Sequence, residues 1–301
     1  MKKIKFMQPK KEREEVVSVQ KISVVINTYN ADRLLETAIK SVIKADEIII
    51  CDMHSTDRTV EIAQKYNCKI YYHEKLPQPD PARNFALSKA TGDWILILDS
   101  DEVVSEDLWN ELVFYANNPY KNHYVLNLSF KTYFLNGFLK HLQPEFHLRY
   151  FKRGHLKYED GFVHIKPLAV DSEILALKSS DKDLNIYHYT YGSIEQFLEK
   201  WNIYTSEEIK KIDSNKTDVK PHISTIVRMY ISAMIKFFAR GAYKDGFRGF
   251  VWCLYAAIYR TSTYLKLLEK ADNWGQKQNL DAQSRSIHNQ DSQAKQGARD
   301  C

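Results

Sequence analysis

The sequence is short of cysteine, of net charge and of long apolar runs, and each shortage removes a class of protein. Four cysteines occur in 301 residues: Cys51, Cys68, Cys253 and Cys301. They are scattered and form no C-x-x-C pair, which argues against a zinc site built on them and fits a reducing compartment. Lys and Arg number 43 against 38 Asp and Glu, a formal net charge of +5. That balance is too mild for a nucleic-acid-binding protein, but it suits weak attraction to an anionic membrane face. The basic and mixed-charge stretch Met1–Gln20 has none of the apolar character of a signal peptide. The longest uncharged apolar run lies near Gly249–Tyr259, well short of the ~20 residues a spanning helix needs. The expected location is the cytoplasm, with peripheral contact on the cytoplasmic face of the inner membrane as the membrane option.

Hydrophobic residues make up 44% of the chain, enough to bury a full core. Aromatics reach 13%, with 19 Tyr, a composition that accompanies carbohydrate or membrane-interface work. Residues 1–20 read as a flexible arm. From Lys21 the pattern becomes α/β. Ile22–Ile26, Glu47–Cys51, Lys69–Tyr72 and Trp94–Leu98 read as buried strands. Helical spacing runs through Leu34, Leu35, Ala38, Ile39, Val42 and Ile43, again from Asp57 to Tyr66, and from about Ala82 to Ala90. Strands alternating with helices imply a mostly parallel sheet flanked by helices, with ligands at the carboxyl ends of its strands.

From about residue 120 the character changes. Tyr124–Phe130, Tyr133–Leu139, Phe146–Phe151 and Asn185–Thr190 read as extended, with Asn136 and Gly137 as a turn or bulge signal. Ser193 opens a helix, with Gln196 as its capping-box partner. Ile223, Ile226, Val227, Tyr230, Ile231, Met234, Ile235 and Phe238 make one broad helical stripe, and a second helix runs to about Lys270. Two readings of this hairpin stay open. Its helices pack on each other or on a partner subunit, or its apolar face dips into lipid. The expected organisation is a catalytic domain over 21–192, divided into halves 21–112 and 113–192. A C-terminal helical appendage over 193–272 and a disordered tail over 273–301 follow.

Three strands end in polar groups that point to chemistry. Asp99, Ser100 and Asp101 follow the apolar strand WILIL. Two like charges at such a strand end repel unless a cation or hydrogen bonds compensate. One carboxylate can face a nucleotide ribose and the other a metal. Hard oxygen ligands of this kind suit Mg2+ or Mn2+ bridging a diphosphate. Asp52 follows strand EIIIC and can accept a hydrogen bond from the imide of a pyrimidine, while Asp57 reads as the cap of the next helix. Thr28, Tyr29 and Asn30 follow strand ISVVI. Tyr29 can pack on a base, and Asn30 and Asp32 can equally cap the helix behind them. Three strand ends converging on one sheet edge weigh more than any single motif.

The stretches KISVVINTYN, ADEIIICDMHSTDRTVEIAQKY and PARNFALSKATGDWILILDSDE resemble the donor-binding half of family 2 glycosyltransferases, over about Lys21–Leu112. Later segments, among them PEFHLRYFKRGHLKYEDGFVHIKP, are similar to bacterial lipopolysaccharide-core glucosyltransferases of that family. The resemblance implies a GT-A fold and inverting transfer from a UDP-sugar donor. It implies that Thr28, Tyr29 and Asn30 border the nucleotide and that Asp52 reads uracil. Arg83 and Asn84 then open the helix beside the donor, Asp99 and Asp101 form the D-x-D motif with Ser100 between them, and Asp101 is the direct metal ligand.

An inverting enzyme also needs a base for the acceptor hydroxyl; Glu159 and Asp160 are the local candidates. The family usually shows His-Glu where this chain has His164 and Ile165. His164 is expected to complete the metal shell, with His188 as its rival. The expected acceptor is a cell-surface glycan or lipopolysaccharide core. Peptide or lipid-carrier acceptors, and a nucleotide-sugar-binding protein without turnover, are the alternatives. A homodimer is admitted, and no nucleic-acid partner is expected. A nucleotidyltransferase would bring a Gly-rich phosphate loop after ISVVI, and none stands there.

Overall fold

The computed structural model describes residues 6–7, 19–75, 82–135, 137–141, 145–159, 167–190, 193–210, 212 and 220–271. In chain order the first elements are β1 (Phe6–Met7), β2 (Ile22–Thr28), α1 (Leu35–Ser41), β3 (Glu47–Asp52), α2 (Thr59–Lys65), β4 (Lys69–Tyr72), α3 (Arg83–Leu87) and β5 (Trp94–Asp99). Next come β6 (Glu102–Val104), α4 (Glu106–Asn117), β7 (Val125–Thr132), β8 (Glu145–Lys152), β9 (Lys157–Tyr158), β10 (Pro167–Leu168), β11 (Ile174–Leu177) and β12 (Asn185–His188). Three helices follow, α5 (Ile194–Lys210), α6 (Ile223–Ala239) and α7 (Gly246–Lys270). The described residues fall into two compact units, one within 1–199 and 240–250, the other within 200–239 and from 251 onward.

The first unit is built on one sheet, ordered β1-β11-β7-β8-β5-β2-β3-β4, with β12 joined to both β7 and β6. Strands β5, β2, β3 and β4 are mutually parallel, while β8 runs antiparallel to β5 and β7. The expected α/β class with a mostly parallel sheet is what the chain adopts. Every residue of β2 and β3 is buried, because helices cover both faces of this part of the sheet. Successive side chains point to opposite faces, so alternate residues feed two cores. Val24, Ile26, Ile50, Leu96 and Leu98 join one, against α1 and α4. Val25, Ile49, Cys51, Ile95 and Ile97 join the other, against α3. Trp94 anchors the first core, stacked on Tyr150 at 5.1 Å and edge-on to Tyr115 at 5.7 Å. Burying one such ring contributes roughly 3 kcal/mol.

Local chemistry explains several ends. Helix α4, which the apolar spacing does not single out, starts at Ser105, whose Oγ accepts from the Leu108 N–H at 3.3 Å; Glu106 and Asp107 fill its first turn, where carboxylates suit the helix dipole. The strand expected over Tyr133–Leu139 is instead a tight reversal. β7 ends at Thr132, Tyr133 and Phe138 form an isolated antiparallel bridge, and Phe134 and Gly137 exchange backbone hydrogen bonds at 2.8 and 3.2 Å. Asn136 lies outside the described residues. Gly137 is packed so closely that an added Cβ would lie 2.7 Å from the Arg248 guanidinium. Within the segment read as an arm, Phe6 and Met7 pair with Ala176 and Leu177.

In the second unit, Trp201 of α5 packs edge-on against Tyr255 and Tyr259 of α7 at 5.8 and 5.1 Å. Lys266 donates to Asn202, Thr205 and Ser206, and Lys270 donates to the carbonyl of Ile209 in the last turn of α5 and to that of Ile212 just beyond it. Helix α6 buries only Ala233. Its apolar stripe faces outward, with Ile223, Ile231, Ile235 and Phe238 all more than half exposed. Among the described residues no helix is long and apolar enough to cross a membrane.

Candidate active site

The parallel register aligns the polar strand ends. Thr28 stands opposite Asp52, and Asn27 stands opposite Asp99. Adjacent strands lie about 4.8 Å apart, so the tips of β3, β2 and β5 share one rim. Three apolar strands of matched length ending together produce this arrangement.

Asp52 sits fully buried at the first tip. Its Oδ1 accepts from Thr28 Oγ1 at 2.9 Å and from Ser55 Oγ at 2.6 Å, and its Oδ2 accepts from the Ser55 N–H at 2.9 Å. The loops after β2 and β3 are laced in the same way. Asn30 Oδ1 accepts from the Thr56 N–H at 2.8 Å, and the Asn30 N–H donates to Ser55 Oγ at 2.9 Å. Asn30 adopts φ 47° and His54 φ 59°, left-handed conformations rare for side-chain-bearing residues and found often at functional loops. Neither Asn30 nor Asp32 caps α1, whose N-cap is Leu34 without a side-chain bond. Asp57 does serve the start of α2, accepting from the Thr59 N–H at 3.0 Å and from the Asp32 N–H at 3.1 Å. Tyr29 is exposed, and Lys75 Nζ reaches its hydroxyl at 2.6 Å.

The third tip holds a network of charges. Asp99 Oδ1 accepts from Arg83 Nη2 at 2.8 Å, and Oδ2 accepts from Arg149 Nη2 at 2.8 Å. Arg149 Nη2 also reaches Glu102 Oε1 at 2.9 Å, and Glu102 Oε2 accepts from the Asp99 N–H at 2.8 Å. Burial works against the Asp99 carboxylate, but Arg149 and Arg83 outweigh it and hold the group well below its usual range. Glu102 is wholly buried, and desolvation together with Asp99 lifts it to about 7 despite Arg149. Arg149 Nη1 is buried without a hydrogen-bond partner; the Phe130 ring lies 5.5 Å from its guanidinium carbon.

Asp101, just beyond, faces His188 Nε2 at 3.5 Å from its Oδ1, and the Tyr189 N–H donates to its carbonyl at 2.8 Å. His188 is brought there by β12, which pairs antiparallel with β6 and sets His188 opposite Glu102. Burial would lower the imidazole, yet Asp101, Glu102 and Asp99 together raise it to about 9.

The site residues expected from sequence therefore separate into groups. Thr28, Tyr29, Asn30, Asp52, Arg83, Asp99, Ser100 and Asp101 lie on β2, β3, α3 and β5 or in the loops directly behind those strands. Asn84 opens α3 beside Arg83, but its carboxamide is engaged by the Tyr158 backbone, with both bonds at 3.0 Å. Glu159 is exposed directly after β9, whereas Asp160 and His164 lie outside the described residues. His188, the rival to His164, stands at Asp101. Arg149 and Glu102 were missed by sequence reasoning. Each had a signal. Glu102 continues the acidic run after WILIL, and Arg149 is a lone guanidinium in the apolar strand segment FHLRYF, where an unpaired charge is costly.

At this tip Asp99 is committed to two guanidinium groups, and Asp101, engaged with His188, is a hard oxygen donor of the kind Mg2+ or Mn2+ takes. Asp101 Oδ1 and His188 Nε2 stand 3.5 Å apart as an ion pair, and an octahedral ion shared between them with bonds of ~2.1 Å would draw them to about 3.0 Å. No set of three or more His, Cys, Asp or Glu side chains that could hold a metal occurs among the described residues.

Residues 23–175 match the family described as glycosyl transferase family 2. An uncharacterised glycosyltransferase of Rickettsia bellii (strain RML369-C) is 31% identical over 261 residues, 83% of this chain and 87% of that protein. The poly(ribitol-phosphate) beta-N-acetylglucosaminyltransferase TarS of Staphylococcus aureus (strain Mu50 / ATCC 700699) is 31% identical over 102 residues, 30% of this chain and 18% of its own. Among solved structures, S. aureus TarS 1-349 in complex with UDP covers 85% of this chain and 92% of its own at 19% identity, with a TM-score of 0.43. Glucosyl-3-phosphoglycerate synthase from Mycobacterium tuberculosis, in complex with Mn2+ and UDP-glucose, covers 62% of this chain and 77% of its own at 17% identity, with a TM-score of 0.42. The chain belongs to glycosyltransferase family 2. It is an enzyme of the glycosyltransferase class, and its parallel β4-β3-β2-β5 core with the antiparallel β8 beside it is a GT-A sheet.

Proposed function

We propose that this enzyme transfers a hexose, glucose first among the candidates, from a UDP-sugar to a cell-surface glycan or lipopolysaccharide-core acceptor, with inversion at the anomeric carbon. The observation that carries the reading is the shared rim. A buried acid at the tip of β3 and an Arg83–Asp99–Arg149 network at the tip of β5 stand two strands apart. Such spacing suits a ligand with a flat hydrogen-bonding base at one end and a diphosphate at the other.

In this reading Thr28, Tyr29 and Asn30 border the nucleotide, and Asp52 receives the uracil imide once the loops holding Thr28 and Ser55 part. Asp99, with Ser100 beside it, fixes Arg83 and Arg149 so that two guanidinium charges await the negative charge building on the leaving diphosphate. Preorganised charge of this sort lowers the barrier because it needs no rearrangement during the reaction. Asp101 would hold Mg2+ or Mn2+, with His188 or His164 as second ligand, and the bound ion supplies further positive charge for the leaving group. Glu159 and Asp160 are the proposed bases that take the proton from the acceptor hydroxyl. Asn84 acts from behind, holding β9 and thereby Glu159 in place. Residues 21–192 are the proposed catalytic domain.

A second reading takes the acceptor to be lipid-linked, and α6 favours it. Its exposed apolar stripe lies in a stretch, Lys220–Lys244, that carries Lys220, Arg228, Lys236, Arg240 and Lys244 and no acidic residue. A basic amphipathic helix with an outward apolar face suits the anionic face of a membrane.

The test is a transfer assay with Mn2+, a panel of nucleotide sugars and candidate acceptors, read by mass spectrometry of the products. The expected result is UDP-sugar-dependent transfer, and slow UDP-sugar hydrolysis without acceptor, both lost in Asp101→Ala. Equal use of non-uridine donors, or full activity in Asp101→Ala, overturns the proposal.

A further inference from the structure

A cavity of about 410 Å3 opens between the ends of β7, β8, β11 and β12. Its origin lies in the sheet. One edge of β7 pairs first with β11, through Val125–Asn127, and then with β12, through Ser129–Thr132. Where β7 changes partner, the chain leaves β11 at Leu177 and returns at Asn185, and the opening is lined from both ends of that excursion. Asn185 and Tyr187 line it. Ile186 and His188 alternate to the opposite face, where Ile186 joins the core and His188 meets Asp101. Phe130 stands between the two, lining the cavity while lying edge-on to His188 and under the Arg149 guanidinium.

Its chemistry has two parts. The walls are mostly apolar, with Phe138, Phe146, Leu139, Leu177 and Leu184. Three ammonium side chains, Lys131, Lys140 and Lys178, also line it, and among the described residues no carboxylate does. Asp183 stands behind the lining as a brace. It accepts from Lys131 Nζ at 3.1 Å, from Asn185 Nδ2 at 2.5 Å and from the Tyr187 hydroxyl. A carboxylate so placed pairs with Lys131 and fixes its orientation, and the lining keeps a net positive charge through its other two lysines. Phe138 and Tyr187 pack edge-to-face on each other at 5.1 Å, which uses ring surface that a sugar would need for stacking. The volume is at the lower end of the ~300–1,000 Å3 range of small-molecule sites.

We propose that this cavity binds a single-chain amphiphilic anion, an acyl or prenyl chain ending in phosphate or carboxylate. The chain lies among Phe138, Phe146, Leu177 and Leu184, and the head group meets Lys131, Lys140 and Lys178. An apolar chain gains from leaving water in proportion to its buried surface, and charge-assisted hydrogen bonds at a partly desolvated rim select the anionic head. The site is independent of the sugar-transfer reading. It stands or falls without any statement about donor or acceptor.

The experiment is isothermal titration of the full chain with four probes below their micellar concentrations: decyl phosphate, decanoate, decyltrimethylammonium and inorganic phosphate. The first two are expected to bind, and the last two are not. Lys140→Glu/Lys178→Glu is expected to weaken decyl phosphate roughly tenfold or more, the loss of one or two charge-assisted contacts, with an unchanged circular dichroism spectrum. Leu184→Trp, which fills the cavity, is expected to weaken both chains. Should Leu184→Trp fail to fold, the lysine variant still decides, since its substitutions are confined to polar lining positions. Saturating UDP with Mn2+ is expected to leave decyl phosphate binding intact. Inorganic phosphate binding as well as decyl phosphate, the cationic chain binding as well as the anionic one, displacement by UDP, or an unaffected lysine variant would each overturn the proposal.

Discussion

Arg149 Nη2 stands 2.8 Å from Asp99 Oδ2, so a strand running antiparallel beside β5 delivers the positive charge that lets β5 end in an acid. The same nitrogen holds Glu102 at 2.9 Å. One guanidinium therefore bridges two acids in a poorly hydrated place, where Arg83 shares Asp99 and Glu102 is pushed toward its neutral form.

Arg149→Met is expected to destabilise the fold by about 3–5 kcal/mol, the usual cost of removing one member of a buried ionic network. Arg149→Lys is expected to recover part of that loss, since an ammonium keeps the charge but not the fork. Urea denaturation followed by circular dichroism measures both. A loss under about 1 kcal/mol in Arg149→Met, the scale of an exposed pair, would contradict the picture.

His188→Ala is expected to weaken stabilisation by Mn2+ with UDP while leaving the response to uridine alone intact. The imidazole faces Asp101 at 3.5 Å, just beyond the tip of β5 rather than at the tip of β3 where Asp52 stands. Melting curves with each ligand read the difference, because a ligand that binds the folded state raises the melting temperature by mass action. Loss of the uridine response as well would mean that the substitution disturbs the whole rim.

Glu47 governs a pH prediction at the other end of the strands. Burial favours its neutral form, but Lys69 at 2.6 Å, Ser23 at 2.5 Å and the Thr91 N–H at 2.6 Å outweigh this and hold it at about 2. Its folded value lies below its unfolded one, near 4.5. The stabilisation is therefore fully present above that range and is lost as the pH falls toward 2. Lys69→Met should move acid unfolding to higher pH, read as ellipticity against pH. An unchanged acid midpoint would show that Glu47 does not contribute to the transition.

Ile231→Glu and Ile235→Glu are expected to reduce co-sedimentation with anionic vesicles several-fold each, by removing buried apolar area and adding like charge, without lowering the melting temperature. Both side chains are more than half exposed, so the fold gives them little to lose. A fall in melting temperature with unchanged vesicle binding would point instead to packing against a protein surface.

Much of the parallel half was legible because its signals are local. The strands ISVVI, EIIIC, KIYY and WILIL lie within a residue or two of the observed β2, β3, β4 and β5. A fully buried parallel strand must be apolar along its whole length, and that shows in the sequence. Asp57 was legible as the residue serving α2, since capping acts within one turn. Tyr133–Leu139 misled for the same local reason. Its residues favour strands, but Phe134 and Gly137 exchange backbone hydrogen bonds, with φ 48° at Leu135, and Tyr133 is brought back against Phe138. The short strands β9, β10 and β11 left no periodicity to read.

The sequence by itself determined that acids stand at the ends of apolar strands, and that a helical region with one apolar face follows. These are properties of a few neighbouring residues and of the periods 2 and 3.6. Only the tertiary structure decided which charges meet. Asp99 lies 16 residues from Arg83 and 50 from Arg149, and His188 reaches Asp101 only because β12 inserts between β6 and β7. Pairings over such separations follow from strand order and register, which the whole sheet fixes at once, and no local pattern encodes them.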